Sequence, residues 1–196
     1  MAPLPSRLIW WSWSGVTLLE GLSWWLPALS QSTLTTLRVA ELVWLGGVVV
    51  HYRALALLGL TAPGREQWLL LLRVAVVSAL LALLLLWVGW LDGWLLLPRF
   101  IDGAGGVVLL LLLAPLVEEL LFRALLYRML EELVGRWLAI VGSALCFALA
   151  HGLLLSPQLA GGVLFAWLYM RSGNLWLPII LHAGANGALL LLVGAY

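Results

Sequence analysis

Three short stretches of this chain set ionisable or hydrogen-bonding side chains inside otherwise apolar runs. They are Ala114 to Arg123, with Glu118, Glu119 and Arg123; Phe147 to His151; and Leu177 to Asn186, with His182 and Asn186. Helical spacing organises each one. Glu119 and Arg123 are four residues apart, so they share a face and can pair. Glu118 is turned about 100° from Glu119 and is left free to point elsewhere. Phe147 and His151 share a face, as do His182 and Asn186. Each set is expected near the middle of its helix, so helices running in opposite directions can bring Glu118 and His151 to one depth.

Those parts suffice for hydrolysis by water. A carboxylate in a low-dielectric interior can serve as general base, and a neighbouring imidazole can orient or deprotonate the same water. A second imidazole and an amide N–H can donate to a carbonyl oxygen as it gains charge. No serine or threonine sits on these faces as a nucleophile. Cys146 is about 140° around the helix from His151, which argues against a Cys–His dyad.

The elements that position these residues must be membrane helices. Of 196 residues, 64% are hydrophobic and 10% charged, where a soluble domain carries about 25% charged residues. Disorder is excluded by the same surplus of apolar surface. One cysteine gives no disulfide framework, and a net charge of +1 gives no electrostatic case for nucleic acid. The fold class expected is an all-α, polytopic transmembrane bundle, because the apolar runs are long, Leu-rich and non-alternating. Seven spans are read at about 8–29, 34–60, 68–90, 105–130, 137–155, 158–171 and 175–195, with six or eight also compatible. The chain reads as one integral membrane domain, with N-terminal helices over 1–105 and the site carried by the last four helices over 106–196. The first helix is expected to be retained rather than cleaved, since its run is long and contains Glu20. Arginine placement favours an inside N-terminus, with Arg38 and Arg99 outside. Asp92 to Gly106 reads as an outer loop or a re-entrant piece. Tryptophans near span ends (Trp10, Trp11, Trp13, Trp24, Trp25, Trp87, Trp90, Trp94) read as interface anchors. Gly161-Gly162 and Gly184…Gly187 read as close-packing sites. Glu20 and Arg73 could pair between helices, and Glu41 has no evident partner.

At the three polar stretches the sequence resembles the CPBP intramembrane proteases, also called the CAAX prenyl protease 2 or Abi family. The family pattern is EExxxR, FxxxH and HxxxN or HxxxD on successive core helices. Here it stands as Glu118-Glu119…Arg123, Phe147…His151 and His182…Asn186, in that order. Pro115, Phe122 and the run Asn174-Leu175-Trp176-Leu177-Pro178 match as flanks. The resemblance covers about Val107 to Leu192; the first 105 residues match only in hydrophobicity. It implies a helical core whose polar residues line an interior cavity, with Glu118 activating water, His151 assisting, and His182 and Asn186 forming the oxyanion site. Glu119 and Arg123 are expected to hold the helix in register, and Phe147 matches the aromatic position beside the first histidine.

The expected function is therefore an intramembrane endopeptidase acting on a membrane-embedded or membrane-anchored peptide or protein, with the lipid bilayer as the other partner. The alternative is a non-catalytic member, a bacteriocin self-immunity factor or assembly partner. No cofactor is favoured. Zinc remains open through Glu118, His151 and His182, although no His-Glu-x-x-His helix motif is present. The expected location is the bacterial cytoplasmic membrane, multi-pass. A purely structural reading also stands for Glu119–Arg123, as an ion pair fixing helix packing, and Asn186 could be an interhelical hydrogen-bonding residue.

Overall fold

The computed structural model describes residues 3–23, 31–87, 103–151 and 157–194, and among them it is all-helical. Seven helices run in chain order: α1 Ser6–Ser23, α2 Gln31–His51, α3 Arg65–Trp87, α4 Gly103–Val134, α5 Arg136–Ala150, α6 Pro157–Ser172 and α7 Trp176–Gly194. Of these, α2, α3 and α4 are long and apolar enough to cross a membrane, and α5 and α7 are shorter apolar helices. The protein is an integral membrane helix bundle.

α4 is the central element, and its sequence explains one irregularity. Pro115 lies inside it and has no N–H to give to the turn before it. Over Leu109–Leu113 the helix widens to i→i+5 turns, so that the Ala114 N–H reaches Leu109 O. A second widened stretch runs over Leu120–Tyr127. Glu118 and Glu119 sit on the regular turn between the two. At its far end α4 is stopped by Gly135, whose φ of 81° is a left-handed conformation that a glycine adopts without strain. α5 starts at the next residue.

The neighbours of α4 bury it by apolar faces. Leu45, Val48 and Val49 of α2 pack in one cluster with Val117, Leu120, Leu121 and Ala124 of α4. α5 and α6 approach closely at Gly162, where a Cβ would stand 3.0 Å from the Ala144 Cα. The expected close-packing role holds there. It does not hold at Gly184, whose Cβ position has no neighbour, while Gly187 lies in ordinary contact with Leu111. α1 crosses α2 with the Trp44 ring laid over Gly15 and its Nε1 donating to Trp11 O at 2.9 Å. α3 buries Leu71 against Phe165, Leu168, Leu177 and Leu181, and leaves Leu72, Val76, Val77, Leu80 and Leu84 exposed. In a membrane helix such a face meets acyl chains.

Three expectations change. The second span was read to Leu60, but α2 ends at His51 and residues 52–64 are irregular. Arg53 takes φ 50° there, and the released backbone groups are satisfied from elsewhere. Carbonyls of Leu57, Leu58, Gly59 and Thr61 accept from the Arg128 Nη1, the Tyr169 hydroxyl, the Leu175 N–H and the Asn174 Nδ2, respectively. Irregular backbone is tolerated at such a place because protein donors surround it. Glu20 does not pair with Arg73, which is exposed on α3; its partner is Arg38, at 3.1 Å. Residues 92–102 of the loop read over Asp92–Gly106 lie outside the described residues, as do Trp24, Trp25, Trp90 and Trp94, whereas Gly103–Gly106 are not loop but the first turn of α4. Trp10, Trp11 and Trp87 are exposed near helix ends, as anchors should be.

Candidate active site

The site is assembled from α4, α5, α6 and α7. Glu118 is buried on α4, and its Oε2 lies 3.8 Å from the Nε2 of His151 and 3.8 Å from the Nε2 of His182. Both separations exceed a direct hydrogen bond and suit one bridging water oxygen.

Each imidazole is held from behind. His151 Nδ1 is 2.9 Å from the Phe147 carbonyl oxygen, which can only accept, so Nδ1 carries the hydrogen. In the neutral ring the Nε2 lone pair then faces Glu118. His182 Nδ1 lies 2.8 Å from Glu119 Oε1, and an ionised Glu119 sets the same tautomer. The expected mid-helix position of His151 is not what forms: α5 ends at Ala150, and His151 is the capping residue with φ −95° and ψ 5°. Its side chain is one-third exposed, against about a tenth for Glu118 and His182. The reacting centre therefore opens at the end of α5.

Glu119 and Arg123 do more than hold register. Glu119 Oε2 forms an ion pair with Arg123 Nε at 3.0 Å while its Oε1 faces His182, so one fully buried carboxylate joins a guanidinium to an imidazole. The Arg123 guanidinium carbon stands 4.4 Å over the Phe147 ring, with Phe165 and Phe122 at 5.4 and 5.8 Å. None of its three nitrogens has a hydrogen-bond partner among the described residues; the ion pair and the aromatic faces take that place. Phe147 also lies against His151 at 4.5 Å, and His182 stacks on Phe165 at 4.9 Å with an interplanar angle of 19°. These rings exclude water behind the imidazoles and fix their planes.

Asn186 is brought to α4, but at Leu110, about two turns before the carboxylates. Its Nδ2 donates to Leu110 O at 2.9 Å, leaving one N–H of the carboxamide uncommitted. Cys146 is exposed on α5 and takes no part.

As donors, Glu118, His151 and His182 have the chemistry of a zinc set, and their Nδ1 partners are the kind that support metal ligands. Their spacing is wider than that chemistry needs. A tetrahedral ion with bonds of about 2.1 Å sets ligand atoms about 3.4 Å apart, whereas Glu118 Oε2 is 3.8 Å from each imidazole nitrogen. As they stand, the three do not fit a tetrahedral ion, and among the described residues no group of three such side chains could hold a metal.

Residues outside the three motifs were not anticipated. Arg38 Nη1 bridges Glu20 at 3.1 Å and Glu41 at 2.5 Å, forming a charged cluster between α1 and α2. Its sequence signal was the i,i+3 spacing of Arg38 and Glu41. Phe165 gave no signal, being one apolar residue in an apolar helix.

Residues 100–188 match the family model for the Rce1-like type II CAAX prenyl endopeptidases. Among curated proteins, a Bacillus subtilis (strain 168) protein named "Putative membrane peptidase YdiL" is 32% identical over 77 residues, 38% of this chain. The match spans 32% of that relative, about a third of its length. No solved structure matches. The matched region contains all seven motif residues, and the resemblance drawn from them holds.

Proposed function

We propose that this chain, whose residues 100–188 are of the CPBP kind, is a membrane-embedded peptide hydrolase that uses Glu118 to activate water. The observation that carries this reading is the convergence of one buried carboxylate oxygen and two oriented imidazole nitrogens. A water between them donates one hydrogen to Glu118 Oε2 and the other to His151 Nε2. Its oxygen attacks the carbonyl carbon of the scissile peptide while the proton passes to Glu118. His182, with Glu119 behind it, can carry an imidazolium charge and donate from Nε2 to the developing oxyanion. The second N–H of Asn186 is the other candidate donor. Protonated Glu118 then gives its proton to the leaving amine as the C–N bond breaks. The substrate class that fits is a peptide segment embedded in or anchored to the bilayer. The arginine pattern supports an N-terminus on the inner side of the membrane.

The test is Glu118→Gln in cells. Positioned acid–base groups contribute about 10²–10⁴-fold, so cleavage should fall by about a thousandfold while expression and thermal unfolding in detergent stay near wild type. Crosslinking of the inactive variant should enrich a membrane peptide that the wild type does not accumulate. Equal turnover of that peptide by both proteins would exclude the mechanism.

A further inference from the structure

We propose that Pro115, Leu110 and Asn186 form a pin that sets α7 against α4, making Asn186 a positioning residue for the Glu118–His182 pair; this rests on the reading of Glu118 given above. The argument begins with a missing donor. In a regular helix the Ala114 N–H would serve Leu110 O, but here it serves Leu109 O. The i→i+5 donor for Leu110 O would be residue 115, which is proline and has none. Leu110 O is thus left without a helical partner, and a buried carbonyl without one is costly. Asn186 Nδ2 fills the gap from α7 at 2.9 Å. One residue further on, a Cβ at Gly187 would stand in ordinary contact with Leu111, 3.5 Å from its Cδ2.

α7 is then tied to α4 at two points, His182 to Glu119 and Asn186 to Leu110. Moving four residues up α7 moves nine residues back along α4, so the helices run antiparallel and the ties lie on either side of Glu118. Two ties fix rotation as well as translation, where one would leave α7 free to swivel about His182. The carbonyl that Pro115 releases is therefore used as an address, and Asn186 reads it.

A double-mutant cycle in the full chain in liposomes tests the pin. Pro115→Ala returns an N–H to position 115, which lets the turn close and gives Leu110 O an acceptor role within α4. Asn186→Ala alone should lower the thermal midpoint by about 3–8 °C, and the same change on Pro115→Ala should lower it by less than half as much. The second readout is the imidazole ¹⁵N spectrum of His182, which a merely structural role would not move. Asn186→Ala should shift or broaden the Nδ1 signal, and the double variant should recover it. Additive midpoints, or a His182 spectrum indifferent to Asn186→Ala, would overturn the pin. Neither readout uses turnover, so failure here is distinct from an active Glu118→Gln, which would remove the hydrolase reading instead. Should Asn186→Ala not fold, Asn186→Leu, which keeps the bulk and cannot donate, is put through the same cycle.

Discussion

Glu119 is the residue on which most of the site's order depends. It is buried completely and holds Arg123 on one oxygen and His182 on the other. Arg123→Met leaves that carboxylate buried without its cation, which costs about 3–5 kcal/mol. Thermal unfolding in detergent should show it, and Arg123→Met combined with Glu119→Gln should recover more than half of the loss. Arg123→Lys should not rescue fully, because an ammonium cannot lie flat on Phe147 as the guanidinium does. The wide ligand spacing gives a second expectation at this scale. Dialysis against a chelator should leave cleavage unchanged, and metal analysis of the purified protein should give well under one zinc per chain. Stoichiometric zinc with chelator-sensitive turnover would mean that Glu118, His151 and His182 close in by several tenths of an ångström.

At the scale of the helices, the site was legible where a polar residue interrupted an apolar run. Six of the seven motif side chains, from Glu118 to His182, do come together, and the reason is simple: few other places in the membrane can hold them. Asn186 was legible as a polar residue but not as the partner of Leu110, since a main-chain orphan has no letter of its own. Pro115 was the only trace of it. The end of α5 at Ala150 was missed although Gly152 follows in the sequence, a common signal past a helix end. The early end of α2 was hidden because residues 54–60 are as apolar as a helix interior. Their turn geometry depends on donors more than 70 residues away along the chain. Gly59 marks that turn: it has φ 74°, and a Cβ on it would collide with Gly173 O. Gly59→Ala should therefore destabilise by about 3 kcal/mol or more, measured as loss of the folded peak in size-exclusion chromatography after mild heating. Gly15→Ala should displace the Trp44 ring, which can be followed by its fluorescence.

For the whole molecule, the N-terminal helices are joined to the C-terminal core by apolar packing of α2 on α4, and to one another by the Glu20–Arg38–Glu41 cluster between α1 and α2. That cluster explains the two glutamates that composition left over. Glu41 is wholly buried, with Oε1 unpartnered, so its charge depends on Arg38. Arg38→Met should cost about 3–5 kcal/mol for the reason that applies to Arg123. Replacing Arg38 and Glu41 together with methionine should cost less than Arg38→Met alone, because no uncompensated carboxylate stays buried. The comparison needs only unfolding midpoints of the two variants. Equal losses would show that the cluster is hydrated rather than dry.

The segment after α2 has a consequence for how such a chain can change. Four carbonyls between Leu57 and Thr61 receive donors from α4, from α6 and from the junction before α7. Every acceptor in that set is main chain, which every amino acid supplies alike. The donors Arg128, Tyr169 and Asn174 are side chains of the core, and Leu175 contributes its backbone. Spelling is thus constrained on one side of the joint and almost free on the other, Gly59 excepted. An exchange at 57, 58 or 61 removes no acceptor from this joint, whereas losing Arg128, Tyr169 or Asn174 from the core removes a donor.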